Sequence, residues 1–457
     1  MKNPTSVALK LKYQQEVKKL LKRKIGTQKD LEKTTQLSRT SVSNFFCGKR
    51  VSVFTAKAII EQIGLDEKLS DDYLDWGTED KDEDAKTPKK KHIVLPTELV
   101  SESPPDFSQP PFPGKLLDSR SPFLIPDEIA ERHCLEEIRQ PGGVLRIRGP
   151  HNFGKTTLFY RAYSQFRKEK PDTHLIYIGL DNDILSCNTS ILSDNKTFIK
   201  FLANTINTAL GNPLKHELQA SEHIPLRTRL PNYLEQILEQ TEGTIILALD
   251  GLEKMFTYPH ILGDYARLFK GLTNLFQENK YDRFRLVLIN STDEYVANNH
   301  LASPLNVGFT VEIKRLAMSR QDEIKRLAQQ YGIPKVDTEN ITAMLSTFGG
   351  MPYFIQKTLF IAKREGVPLI EIVQSAADPN GYFRNDLWEI YKQIQNACSF
   401  TPNLQEDLEK ILQSEEPIRI DNLSLRILDA LGIITCHGHN AQISCDMYHV
   451  FLQGCSF

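Results

Sequence analysis

One octapeptide constrains the fold of this 457-residue chain more than any other feature. Its residues, together with the threonine that follows, are Gly149, Pro150, His151, Asn152, Phe153, Gly154, Lys155, Thr156 and Thr157. The glycines let a loop between a strand and a helix turn its backbone N–H groups towards phosphate oxygens. Lys155 would then reach the β- and γ-phosphates, and Thr156 would ligate Mg²⁺. The sequence therefore predicts a loop that binds ATP or ADP, with Mg²⁺ as the second cofactor.

A second motif supplies the acid that such a loop requires. The apolar run that begins at Thr244 ends in Asp250, which is placed to deliver a carboxylate to the Mg²⁺ shell. Many ATPases of this kind have a glutamate next, to activate the attacking water, but here the next residue is Gly251 and the next acid is Glu253. Either Glu253 reaches back to serve as the base, or it is a solvated acid and hydrolysis is slow.

Two further sets of polar residues have an open interpretation. Asn290 and Ser291 end an apolar run, where they could sense the γ-phosphate or simply begin a loop. Four arginines could be donated to the active site of a neighbouring subunit, and the sequence does not choose among them. They are Arg227, Arg229, Arg283 and Arg315.

The order of the apolar runs predicts an α/β fold. Five runs alternate with amphipathic stretches, as in a parallel five-stranded sheet covered on both faces. They span residues 144–148, 175–180, 244–250, 285–290 and 309–313. Helical patterns follow to about residue 400, and the last segment reads helix, strand, helix and two strands, which is typical of a winged helix.

Composition, together with the pattern of apolar runs, divides the chain into five predicted segments. They are a helix-turn-helix domain (1–65), a charged and proline-rich flexible linker (66–117), the nucleotide-binding core (118–315), a helical lid (316–400) and a winged-helix-like end (401–457). No apolar run approaches the ~20 residues that span a bilayer. The seven cysteines have no C-x-x-C spacing, so we expect reduced thiols. We therefore expect a cytoplasmic protein without a membrane segment.

From residue 118 onwards the chain resembles the bacterial AAA-like domain family, which is related to the signal-transduction and origin-recognition AAA ATPases. The matching stretches are 118–123 (Asp-Ser-Arg-Ser-Pro-Phe), 140–143 (Gln-Pro-Gly-Gly), 303–308 (Ser-Pro-Leu-Asn-Val-Gly) and 349–353 (Gly-Gly-Met-Pro-Tyr). The resemblance implies an ATPase core, a helical lid and a winged-helix end, with residues 121–123 and Pro352 near the base. Two positions depart from the family pattern, since Gly251 replaces the usual acid and Met351 stands where the family generally has histidine.

Residues 27 to 47 resemble the helix-turn-helix of phage-repressor-type domains. Leu31, Leu37, Val42 and Phe45 fall where the two helices would face each other, and Ser38 can cap the second helix. The exposed candidates for contact with phosphates and base edges are Arg39, Thr40, Ser43, Asn44, Lys49 and Arg50. Family members usually have alanine where Glu32 stands and glycine where Gln36 stands.

The first 65 residues also carry a strong positive charge. They contain 14 Lys and Arg against 4 Asp and Glu, a net charge of +10, although the whole chain has a net charge of -2. Such basicity favours a polyanionic partner such as duplex DNA, and the alternative is a solvated helical face. Instead of contacting DNA, the domain could dock a protein or be vestigial.

Three functions remain open at this stage. The first is an ATP-dependent regulatory switch, which changes its assembly or exposes its amino-terminal domain in signalling, transcription regulation or defence. The second is a DNA-handling ATPase of the loader or transposition-regulator type. The third is a non-catalytic interaction protein with a decayed nucleotide site. The expected partners are ATP or ADP, duplex DNA, and a protein partner or further copies of the chain.

Overall fold

The computed structural model describes residues 107, 109–180, 190–216, 218, 226–252, 255, 261–291, 307–399 and 401–455, together with isolated positions between residues 6 and 75. The chain divides into two compact units, Met1–Lys90 and Lys91–Phe457. None of the described helices is both long enough and apolar enough to span a bilayer.

The amino-terminal unit contains a small antiparallel sheet. Its strands are β1 (Ser6–Leu9), β2 (Val51–Ser52) and β3 (Leu74–Asp75), in the order β2-β1-β3. The prediction of an all-α domain omits these strands, because segments of two to four residues are too short to show a strand periodicity. β3 lies within the predicted linker, so the unit extends beyond residue 65.

The helical core positions predicted for this unit are partly described. Leu31, Val42 and Phe45 are helical and fully buried, and Phe45 packs edge-to-face on Phe46 at 5.5 Å between ring centroids. Leu37, Ser38 and all six candidate DNA contacts (Arg39, Thr40, Ser43, Asn44, Lys49 and Arg50) lie outside the described residues. The helix-turn-helix stays a prediction.

The larger unit is built on a five-stranded parallel sheet, as predicted. The strands are β4 (Val144–Arg148), β5 (Thr173–Gly179), β6 (Thr244–Asp250), β7 (Phe284–Asn290) and β8 (Phe309–Glu312), in the order β5-β6-β7-β4-β8. The central strands β6 and β7 are mostly apolar on both faces, as a sheet buried between two helical layers requires, whereas the edge strand β8 has three of its four residues exposed.

Among the described residues, six helices cover the sheet. They are α1 (Glu128–Arg139), α2 (Lys155–Glu169), α3 (Ser190–Ser193), α4 (Asn195–Ala209), α5 (Leu226–Gln240) and α6 (Leu262–Phe276). On β6, Ile246 and Ala248 pack in the same core as α1 and α2, whereas Ile245, Leu247 and Leu249 pack with α4 to α6. We call these two sides the P-loop face and the opposite face. Because side chains alternate along a strand, this division decides which polar residues can reach the nucleotide loop.

The remaining helices and strands follow β8. The predicted lid contains α7 (Gln321–Gln330), α8 (Thr338–Phe348), α9 (Pro352–Glu365), α10 (Leu369–Gln374) and α11 (Arg384–Cys398). The last segment contains α12 (Leu404–Gln413), β9 (Ile418–Arg419), α13 (Asn422–Ala430), β10 (Ile434–His437), β11 (Asn440–Ile443) and α14 (Asp446–Gln453). This is the predicted order of helix, strand, helix and two strands, with a further helix at the end.

The end of the predicted linker packs against this unit. Leu117 is 8% exposed within the main core, and the ring of Phe112 meets that of Phe360 on α9 at 5.6 Å between centroids. Apolar side chains among the prolines provide this contact, which the composition of the segment as a whole conceals. Residues 112–117 are therefore part of the larger unit rather than of a spacer.

Candidate nucleotide-binding site

The loop from 149 to 156, here called the P-loop, joins β4 to α2 as its motif predicts. Gly154 caps α2 in the left-handed region, with φ of +84°, and Asn152 also has a positive φ, +62°. Gly149, at the start of the loop, packs against Ile313. A Cβ added at this glycine would lie 3.4 Å from the Cβ of Ile313. These conformations turn successive backbone N–H groups to one side and place the amino end of α2 behind them, which is the arrangement that binds phosphate.

The lysine of this loop is held inside it. Lys155 is 7% exposed, and its ammonium donates a hydrogen bond to the backbone oxygen of Pro150 at 2.8 Å. Phe153 is buried below the loop, whereas His151 and Asn152 are exposed at its rim. The loop therefore presents one buried positive charge and a row of backbone donors to the cavity.

A carboxylate meets the loop from the neighbouring strand. Asp250, at the end of β6, accepts hydrogen bonds on Oδ2 from the hydroxyls of Thr156 (2.6 Å) and Tyr177 (2.8 Å). A hydroxyl and a carboxylate side by side suit Mg²⁺, which prefers oxygen ligands and keeps several of its waters. Thr156 and Asp250 are thus the residues that would hold the metal, and the metal would neutralise phosphate charge between them.

The turn after Asp250 has a backbone conformation that favours glycine. Gly251 has φ of +79°, and its N–H donates to the backbone oxygen of Ile289 at 3.2 Å. A residue with a side chain would be strained in this left-handed conformation. The alternative base, Glu253, lies outside the described residues.

The two sensor candidates occupy opposite faces of the sheet. Ser291 lines the cavity, but Asn290 is fully buried and accepts a hydrogen bond from Nε of Arg146 at 3.2 Å. On β7, Leu286 and Leu288 pack on the opposite face, so Asn290 follows them away from the P-loop. Strand alternation thus points the side chain of Asn290 away from the P-loop face, and its sensor role stays a prediction.

The cavity beside the P-loop has a volume of about 380 Å³, which is large enough for a nucleotide. Besides the loop, Asp250 and Ser291, the cavity is lined by Tyr177 of β5 and by residues that follow β8. Two further walls come from the segment before α1 and from the start of α9. Their apolar and amide side chains include Leu124, Ile125, Pro126, Pro352, Tyr353 and Gln356. Gln356 donates to the backbone oxygen of Phe123 at 3.2 Å, which connects the two walls.

The sequence identified only part of the wall that α9 contributes. Pro352 was expected near the base, and it does line the cavity. Tyr353 was missed as a lining residue although it stands next to Pro352 in the matched stretch. Its hydroxyl donates to Asp386 at 2.8 Å, and burial raises the pKa of Tyr353 above its usual range. No sequence periodicity separates such a wall residue from an ordinary core tyrosine.

Two of the four candidate arginine fingers are committed to their own chain. Arg283 donates to the backbone oxygens of Leu238, Thr241 and Gly243. Arg315 donates to those of Gly349 (3.1 Å), Gly432 (2.8 Å) and Ile434 (3.3 Å). A finger must be free to enter another subunit, so neither of these two arginines fits that role. The side chain of Arg227 is not described, and Arg229 lies on α5.

Arg315 connects the P-loop to two other parts of the chain. Its guanidinium carbon lies 5.4 Å from the ring centroid of Phe153, in cation–π geometry, while its N–H groups bind the predicted lid and the last segment. Burial lowers the pKa of Arg315, but an arginine remains charged at any pH at which the protein is folded. Pro150 also packs on Gly432, since a Cβ added at Gly432 would lie 3.0 Å from the Cβ of Pro150.

One family of known proteins matches most of the larger unit. Residues 112–454, three quarters of the chain, match the AAA-like domain family. No curated protein matches the chain.

Among solved structures, the Walker-type ATPase of Pyrococcus abyssi is similar with 14% identity and a TM-score of 0.48, over 72% of this chain and 96% of that one. The ORC1 protein of Aeropyrum pernix, solved with DNA, is similar with 14% identity and a TM-score of 0.35, over 72% of this chain and 91% of that one. The ORC2 protein of Aeropyrum pernix has 14% identity and a TM-score of 0.39, over 76% and 95%. Since the family match covers well over half of the sequence, the chain belongs to the AAA-like domain family.

Proposed function

We propose that this protein binds Mg²⁺ and ATP at the P-loop and works as a nucleotide-dependent regulatory switch with slow, partner-activated hydrolysis. The observation that carries the proposal is the pair formed by Thr156 and Asp250, at 2.6 Å, beside a cavity of about 380 Å³. The backbone donors and Lys155 on one wall suit a triphosphate. The apolar side chains on the other wall suit a base.

The same cavity supports a switch, because its walls belong to different parts of the chain. One wall is the core, and the other includes the first turn of α9. A ligand that contacts both walls favours the arrangement in which they lie together, by the difference between its affinities for the alternative arrangements. Slow turnover is supported by Gly251, whose left-handed conformation keeps a carboxylate from that position.

The decisive test measures ATP binding by calorimetry with Mg²⁺ and with EDTA. We expect wild-type protein to bind more tightly with Mg²⁺, and Asp250→Asn to lose that difference because the carboxylate that faces the metal is gone. Asp322→Asn is the control, since this aspartate is 86% exposed on α7. Absence of ATP binding, or an Asp250→Asn variant with an undiminished Mg²⁺ effect, contradicts the proposal.

A second candidate function is DNA handling, and it rests on the net charge of +10 in residues 1 to 65. Phosphate contacts release counterions, so affinity for duplex DNA would fall steeply as salt is raised. In the full chain, Arg39→Ala and Asn44→Ala should weaken this binding more than Arg364→Ala, an exposed control on α9. If the full chain shows no DNA binding even at low salt, the amino-terminal unit is a protein-docking unit instead.

A further inference from the structure

Tyr177 contacts the metal-holding carboxylate and has no part in the motifs described above. Its hydroxyl donates a hydrogen bond of 2.8 Å to Oδ2 of Asp250, the same oxygen that accepts from Thr156. The carboxylate is therefore held by two hydroxyls on separate elements, one on β5 and one on α2. Two donors on one oxygen fix the rotation of the carboxylate as well as its position.

The sheet explains how a residue of β5 reaches that carboxylate. In the parallel pairing of β5 with β6, Gly179 stands opposite Asp250 and Tyr177 stands opposite Ala248. All four residues share the P-loop face, because side chains alternate and Ala248 packs in the core of that face. Gly179 has no side chain, so the place beside Asp250 is open to the tyrosine two residues earlier, which extends along the strand.

The ring of Tyr177 is itself held in place. It packs against Tyr160 of α2 with 5.6 Å between centroids and an interplanar angle of 42°. Tyr160 is 4% exposed, and its hydroxyl has no hydrogen-bond partner in the described part of the chain. Burial, with a smaller contribution from the charge of Asp250, raises the pKa of Tyr160. The two rings thus form one packed pair, but only Tyr177 donates to the carboxylate.

We propose that Tyr177 is a positioning residue, which orients Asp250 so that the carboxylate is ready for Mg²⁺ when the nucleotide binds. This inference rests on the proposed binding of Mg²⁺ and ATP. Gly251 stands where many ATPases have a glutamate. Here a polar group at the end of β6 comes instead from the hydroxyl of Tyr177, on the neighbouring strand β5. Tyr177 lines the cavity and acts on the metal site through Asp250.

The expected effect follows from what similar partners contribute elsewhere. Groups that orient metal ligands typically change metal affinity or activity about 10- to 100-fold when they are removed. Asp250 keeps its hydrogen bond to Thr156 in a Tyr177→Phe variant, so we expect the low end of that range. ATP binding in EDTA is expected to stay nearly the same, because the P-loop is unchanged and phenylalanine keeps the ring that lines the cavity.

The experiment measures the ratio of the ATP dissociation constants in EDTA and in Mg²⁺ for the full chain, by calorimetry. The variants are Tyr177→Phe and Tyr160→Phe, which each remove one hydroxyl from the same packed pair. Tyr160→Phe is the matched control, because its hydroxyl bonds to no described residue. Binding of Mn²⁺ to the nucleotide complex, followed by electron paramagnetic resonance, gives a second reading that does not depend on hydrolysis.

We expect the ratio to fall about tenfold in Tyr177→Phe and to stay at the wild-type value in Tyr160→Phe. An undiminished ratio in Tyr177→Phe, or an equal fall in both variants, overturns the role of Tyr177 and leaves the proposed function standing. A wild-type protein that binds no ATP overturns both. A fall in affinity that is equal in EDTA and in Mg²⁺ shows a merely structural residue, and it also overturns the inference.

Discussion

The P-loop and the end of β6 form two walls of one site, and they are built in different ways. The P-loop is a single contiguous segment, fixed by left-handed backbone at Asn152 and Gly154 and by the burial of Phe153. The wall at Asp250 is assembled from side chains of three elements, with hydroxyls from β5 and α2. Changes in the first wall should therefore affect nucleotide binding as a whole, whereas changes in the second should affect mainly metal dependence and turnover.

Lys155→Ala should have the largest effect, because it removes the positive charge of the first wall. Loss of a buried charged partner costs about 2 kcal/mol or more, which corresponds to roughly 30-fold in ATP affinity. Calorimetry with and without Mg²⁺ should show the same loss in both conditions. Lys168→Ala, an exposed change on the same helix, is the control. Unchanged ATP affinity in Lys155→Ala would mean that ATP binds somewhere other than the P-loop.

Arg315→Ala tests whether the first wall depends on distant segments. The variant loses three hydrogen bonds to carbonyls, so we expect the free energy of unfolding to fall by about 2–3 kcal/mol and ATP binding to weaken. Arg315→Lys keeps the charge but lacks the planar fork, and it should recover only part of the loss. Denaturant unfolding and calorimetry measure the two effects. A drop in stability with unchanged ATP affinity would show that the P-loop stands without its support.

Gly251→Glu tests the second wall. It restores the usual acid but places it in left-handed backbone, at a cost of roughly 1–2 kcal/mol in stability. Steady-state ATPase activity should therefore rise little, and Gly251→Ala should show a similar loss of stability without the acid.

Wild-type turnover is expected to be slow and to fall further in Glu253→Gln. Brisk turnover that is unaffected by Glu253→Gln would show that no carboxylate named here prepares the water.

Asp429→Asn should have the smallest effect. Asp429 on α13 meets Arg148 of β4 at 3.4 Å, and both side chains are about one third exposed. Such pairs contribute about 0–1 kcal/mol, and here burial raises the pKa of Asp429 more than Arg148 lowers it. We expect nearly unchanged thermal unfolding and ATP affinity. A loss as large as that of Arg315→Ala would mean that the ion pair, rather than the carbonyl contacts, holds the last segment to the core.

The same contrast explains what could be predicted from the sequence. β4 and β6 have the predicted bounds, and the P-loop has the predicted place, because each is a local pattern that neighbouring residues complete. Tyr177 is different, since its partner is 73 residues away and its own strand begins with the polar Thr173 and His174. Only the register of β5 against β6 brings the hydroxyl to Asp250.

Two other assignments depended on facts that the sequence does not contain. Asn290 and Ser291 look equivalent at the end of an apolar run, and the face of the sheet separates them. Met351 stands where the family generally has histidine. In the structure it is 4% exposed, and its sulfur lies 3.9 Å from the hydroxyl of Tyr448 on α14, so this position serves the core.

The contacts of Arg315 also have a consequence for the order in which the protein is made. Ribosomes release the chain from its amino end, and segments fold as they emerge. Arg315 needs the carbonyls of Gly432 and Ile434, which are synthesised more than a hundred residues later. A nascent or truncated chain that ends before residue 432 contains the whole P-loop but lacks its support. The nucleotide loop, although it is the most local motif in the sequence, is among the last parts of the protein to be finished.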